Sequence, residues 1–206
     1  MREIDLNTWN RKQHYDHFCS LTDPSFAVTI PFDVTQAYKK AKDSNISFFA
    51  KYLHDCMLAI NTTENLKYRI ENNKVIAYDV IHASPTIMKA DNTYGFSMVD
   101  FDTDLNIFIK NLESEKHRVQ NSTNLYPPRE GILNCIYCSA MPWLNFTGHK
   151  EPFSGTVDSV PKLAFGKASR VNNILMMNVS LNVNHALVDG YHVSLFAKKF
   201  QDYLNA

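Results

Sequence analysis

"ILMMNVSLNVNHALVDGYH", residues 174–192, decides how this sequence is read as a fold. Met177, Val179, Leu181 and Val183 alternate with Asn178, Ser180, Asn182 and Asn184. Period two predicts a strand with one apolar and one polar face. Asn172-Asn173 just before it reads as a hairpin turn. After Asp189-Gly190 the period changes: Val193, Phe196, Phe200 and Tyr203 recur at spacings of three and four, which predicts an amphipathic helix to the end of the sequence. A long strand therefore delivers the chain into a helix, and His185 sits where they join.

Further strands are expected at 26–34, 84–90, 94–101, 132–140 and 162–169. Asn72-Asn73 between two alternating runs, in 67–79, gives a second hairpin signal. Helices are expected over 33–44, over 47–63 with Ser47 as cap, and over 104–122. Several strands follow one another directly, without a strict βαβ rhythm. The pattern predicts an α/β fold of the α+β two-layer sandwich type, one large mixed β-sheet with helices packed on one face. No repeat or linker interrupts it, so 1–206 reads as one domain.

Lys+Arg and Asp+Glu balance at 21 each, so no overall field steers the protein towards nucleic acid or an anionic membrane. The N-terminal residues lack the apolar core of a signal peptide, and no stretch approaches a membrane span. A cytoplasmic protein is expected, with neither nucleic acid nor membrane as partner. Cys19, Cys56, Cys135 and Cys138 suit reduced thiols. The last two form "CIYC" within a strand, where residues three apart face opposite sides, so core cysteines are expected rather than a metal or redox pair. His14 and His17 have no carboxylate spacing to match, and no metal is expected. Gly-rich phosphate loops, Gly-x-Ser-x-Gly and His-Glu-x-x-His runs are absent.

Alternation places His185 in line with Val183 on the apolar face. Burial there favours the neutral imidazole that a general base requires. A core histidine with satisfied nitrogens fits the same position. Asp189 reads as a helix cap, and Gly190 as a left-handed residue in a tight strand-to-helix turn. Four residues across a turn do not by themselves make a dyad.

Four segments in order change this picture. "NHALVDGYHV" has the His-x-x-x-Asp-Gly signature. "TWNRKQHYDHF", "CSAMPWLNF" and "FGKA" accompany it over about 185 residues. Together they resemble the chloramphenicol acetyltransferase family of CoA-dependent acyltransferases. The resemblance implies that His185 is the general base and that Ser139 donates a hydrogen bond to the oxyanion. It makes Asp189 and Arg11 a buried salt bridge supporting the site. Trp143 and Lys167 are placed with CoA, and Phe18 and Phe96 as apolar walls for the acceptor. It further implies acetyl-CoA as donor, a small hydroxylated acceptor, and a homotrimer with active sites between subunits.

Departures gather near the acceptor. Ala164 stands where the family has a threonine and Ala168 where it has an aromatic residue. His17-Phe18 occupies the place of an aromatic pair, and the polar "TGHKE" that of a more apolar segment. The expected function is acetyl transfer to chloramphenicol or a similar small acceptor. An acyltransferase for a different hydroxyl or thiol, and a non-catalytic binding trimer, are the alternatives.

Overall fold

The computed structural model describes residues 1–129, 131–153, 155–156 and 158–206. In chain order the elements are β1 (Arg2–Glu3), α1 (Lys12–Cys19), β2 (Ser25–Asp33), α2 (Thr35–Asp43), α3 (Phe48–Asn61), β3 (Tyr68–Glu71) and β4 (Lys74–Ala77). They continue with β5 (His82–Met88), β6 (Tyr94–Phe96), α4 (Leu105–Gln120), β7 (Cys135–Ala140), β8 (Lys162–Phe165), β9 (Ser169–Val171), β10 (Ile174–Asn184) and α5 (Gly190–Asn205).

The large sheet runs β2-β10-β8-β7-β5-β6, with β9 hairpinned onto β10. It is mixed: β7 lies parallel to β5 and β8, while β10 is antiparallel to β8 and β2. As the alternation predicts, Met177, Val179, Leu181 and Val183 are all buried, in one cluster with Leu53 of α3 and Phe196 and Phe200 of α5. The core therefore lies between one face of the sheet and the helices.

Local chemistry sets the ends of these elements. Ser47 caps α3 by accepting the Ala50 N–H at 3.4 Å, and Asp104 caps α4 through the N–H groups of Asn106 and Ile107. Asn72 and Asn73 have φ of 50° and 62°, and Asn172 and Asn173 have 48° and 68°. Both central residues of each turn are thus left-handed, the geometry that matches the twist of a two-residue hairpin and that asparagine tolerates.

The Asn72-Asn73 hairpin does not join the large sheet. β3 and β4 pair with β1 in a separate three-stranded sheet, a division that one expected sheet did not include. Arg69 ties the two sheets together. Its fully buried guanidinium donates to the carbonyls of Leu66 and Tyr68 on one side and of Leu133 and Cys135 on the other. Burial without a carboxylate pushes its pKa down to about 10.

Cys135 and Cys138 face opposite sides of β7, as strand periodicity requires. Cys138 lies in the main core and Cys135 packs with Met98 and Val160 on the other face. Burial raises both thiols, Cys135 to about 11. His14 and His17 are exposed on α1.

Candidate active site

β10 ends at Asn184, and His185 begins the turn that follows. The His185 N–H donates to the Pro24 carbonyl at 2.9 Å, so the chain before β2 holds its backbone. The imidazole is half-buried between two rings. Phe18 of α1 stacks on it at 3.9 Å with 5° between planes, and Phe26 of β2 lies at 4.6 Å. Phe26 is the register partner of Val183, so the ring continues the apolar face by one step. Nδ1 is enclosed and makes no hydrogen bond among the described residues. Nε2 is the ring nitrogen that keeps contact with solvent.

Asp189 does two jobs here. As N-cap of α5 it accepts the N–H groups of Tyr191 and His192, while its own N–H donates to His192 Nδ1 at 3.2 Å. Its other oxygen, Oδ2, accepts Arg11 Nη1 at 2.5 Å. Arg11 Nη2 lies 3.4 Å from the His185 carbonyl, so one guanidinium spans the turn that carries the histidine. Burial opposes ionisation of Asp189, yet Arg11 and His192 hold its carboxyl below the usual range. The pair is less enclosed than expected: Arg11 is buried, but the Asp189 side chain is 30% exposed. Gly190 also departs from expectation. It is the first residue of α5, is not left-handed, and a Cβ there would meet nothing within 4 Å. The turn is made by Asn184, which accepts the N–H groups of Leu187 and Val188 on its carbonyl and of Ala186 on its side chain.

Ser139 lies elsewhere on the same sheet. It is the register partner of Ala164, which in turn faces Ser180 across to β10. These three share the face opposite the helices. Ser139 is half-buried, and its hydroxyl has no hydrogen bond among the described residues. It lines an open cleft of about 1290 Å³ that also includes Phe96, Tyr126, Tyr137, Trp143 and His149. Phe96 stacks on Tyr126 at 5.3 Å. Trp143 stands 66% exposed at this cleft. Lys167 is exposed and does not line it; its N–H donates to the Leu144 carbonyl at 2.7 Å, beside Trp143.

Within one chain the site residues thus fall into two groups. Phe18, Arg11 and Asp189 stand with His185, whereas Phe96 and Trp143 stand with Ser139. Register gives their separation. Ser139 is level with Ser180, and His185 lies five positions further along the chain; at about 3.3 Å per residue this is about 17 Å, with two strand spacings of about 4.8 Å added sideways. No hydrogen bond spans such a gap. The cleft tyrosines at 94, 126 and 137 carry no distinctive sequence signal, because a tyrosine in a strand or loop reads equally as packing, and His149 and Glu151 stand out only as part of the polar "TGHKE" segment.

A mixed sheet of this strand order, with a histidine at the end of its longest strand and a helix capped by the following aspartate, is the CoA-dependent acyltransferase fold. Its likeness extends to a dihydrolipoamide acetyltransferase of Azotobacter vinelandii, at a TM-score of 0.68 and 12% identity over 94% of this chain and 86% of the other. The chain belongs to the chloramphenicol acetyltransferase family, whose model matches residues 1–201. It is 24% identical to chloramphenicol acetyltransferase 3 of Escherichia coli, over 99% of this chain and 97% of the relative. It is 25% identical to the chloramphenicol acetyltransferase of Proteus mirabilis, over 97% and 93%. A solved chloramphenicol acetyltransferase superposes with a TM-score of 0.91 at 26% identity, covering 98% of this chain and all of the other.

Proposed function

We propose that the chain transfers the acetyl group of acetyl-CoA to a hydroxyl of chloramphenicol, as a homotrimer whose active sites lie between subunits. One copy supplies the cleft with Ser139, Phe96 and Trp143. A neighbouring copy brings His185, with Phe18 over its ring and Arg11 and Asp189 behind it. Trp143 and the exposed Lys167 contact CoA, and Phe96 and Phe18 wall the acceptor.

In this reading His185 Nε2 takes the proton of the acceptor hydroxyl as its oxygen attacks the thioester carbonyl. The Ser139 hydroxyl donates a hydrogen bond to the oxyanion of the tetrahedral intermediate. Collapse breaks the carbon–sulfur bond, and the CoA thiolate leaves with the proton held by His185. The acetyl group passes directly between the two substrates, so the buried cysteines need no part in it. A general base must reach the reacting proton within about 3 Å. The observation that carries the proposal is the roughly 17 Å offset between two groups that this chemistry needs together. A second copy closes that gap.

Thiol release from acetyl-CoA with chloramphenicol tests the reaction, and it should vanish in His185→Ala. Co-expressing His185→Ala with Ser139→Ala chains tests the shared site. Mixed assemblies would combine an intact Ser139 from one chain with an intact His185 from another and regain release. Activity confined to particles of one chain's mass, 23.6 kDa, rather than about three times that, would contradict the proposal.

A further inference from the structure

Among the described residues, five charged side chains line the cleft: Glu113, Lys116, Arg129, Glu151 and Lys162. Four of them are matched. Lys116 pairs with Glu113 at 3.3 Å, and Arg129 holds both oxygens of Asp100 at 2.7 and 3.1 Å. Lys162 pairs with Asp158 at 2.8 Å and also donates to the Pro152 carbonyl. Glu151 is the exception. Its side chain is 18% exposed, and no donor among the described residues reaches its carboxylate. The nearest polar group with which it pairs is His149 Nε2 at 3.7 Å, beyond hydrogen-bond distance.

His149 is also incompletely satisfied, because its Nδ1 is enclosed and has no partner among the described residues. Phe146 lies at 5.7 Å from the imidazole, which packs it on the cleft wall. A carboxylate withdrawn this far from water costs free energy unless a donor meets it. The cations among the described cleft residues, Lys116, Arg129 and Lys162, are already engaged, so the carboxylate is open to a donor brought by a ligand.

We infer that Glu151, with His149 beside it, forms a polar subsite of the acceptor cleft that takes a hydrogen-bond donor, a protonated amine in preference to a neutral group. The preferred acceptors are then hydroxylated amines. This rests on the acetyl-transfer reading and extends its acceptors from chloramphenicol, which has no basic amine, to hydroxylated amines. The aromatic wall at Phe96 and Tyr126 offers such an acceptor an apolar surface within the same cleft.

The test uses two aryl diols that differ only at nitrogen, one carrying a dimethylamino group and the other a neutral acetamide. Neither nitrogen can itself be acetylated, so thiol release reports transfer to oxygen. In the wild-type protein kcat/KM is expected to favour the dimethylamino diol. Glu151→Gln should lower the ratio of the two values by about tenfold or more, since a hydrogen bond between charged groups is exchanged for a neutral one. Glu151→Leu should lower it at least as far, and Glu151→Asp should keep part of it.

An unchanged ratio in all three variants overturns the inference. So does a change confined to melting temperature or apparent mass, which would mean that Glu151 pairs with a neighbouring copy. Release with chloramphenicol but with neither diol overturns the inference and leaves the acetyltransferase reading intact. Absence of release with every acceptor, while acetyl-CoA still binds, overturns that reading and this one with it.

Discussion

Replacing Arg11 by alanine should weaken both stability and catalysis, by amounts that the geometry bounds. The guanidinium loses two contacts, the short bond to Asp189 and the longer one to the His185 carbonyl. Breaking a fully buried ion pair costs about 3–5 kcal/mol, because the surviving charge stays uncompensated. Here the Asp189 side chain is 30% exposed and keeps its backbone donors from Tyr191 and His192, so a smaller cost is expected, about 2 kcal/mol. For a chain of 206 residues that corresponds to a fall of roughly 4–8 °C in Tm. The pH dependence follows from the depressed Asp189 carboxyl. Its contribution is present above the unfolded carboxyl pKa of about 3.9 and is lost as pH falls through the lower folded value. Wild-type and Arg11→Ala proteins should therefore differ most near neutrality and converge in acid. Arg11→Lys should restore little, because an ammonium cannot fork between two acceptors as the guanidinium does. Thermal unfolding across pH, beside thiol-release kinetics, supplies the measurement. Equal Tm values at pH 7, or a gap that widens in acid, would refute the bracing role of this pair.

Ser139→Ala should reduce kcat on the order of 100-fold to 1,000-fold with an almost unchanged unfolding midpoint, since the half-buried hydroxyl has no other bond among the described residues. A loss below about tenfold, read by steady-state kinetics, would remove Ser139 from the oxyanion. The ion pair of Lys51 and Asp55, nearly buried along α3, carries the opposite pH sign. Burial raises the Asp55 carboxyl to about 6 even though Lys51 opposes the shift. A folded pKa above the unfolded one gives a contribution that is full in acid and is lost as pH rises from about 4 through 6. The double variant Lys51→Met, Asp55→Leu should lack that loss and equal or exceed wild-type stability at pH 7 by up to about 4 kcal/mol in urea unfolding. A double variant several kcal/mol less stable would contradict this account.

Features that depend on near neighbours were legible in the sequence. Alternation over 177–183 set the buried face of β10, paired asparagines set two hairpins, and Ser47 marked the start of α3. Four ordered segments pointed to the family and to His185, Ser139, Arg11 and Asp189. How these pieces meet is a property of the folded chain. β3 and β4 alternate as clearly as the central strands, yet they form a separate sheet, because pairing partners are chosen by burial summed over distant segments. Gly190 looked like a turn residue, but Asn184 makes the turn from three residues' worth of backbone donors that the sequence does not reveal. Strand order and register set the offset between His185 and Ser139, on which the proposed shared site rests. Glu151 shows the same limit from the other side: within the polar "TGHKE" segment nothing marks this carboxylate until the fold places it in the cleft with no donor among the described residues. Periodicity and capping act over a few residues, whereas register and charge matching are settled between strands and loops far apart in the chain.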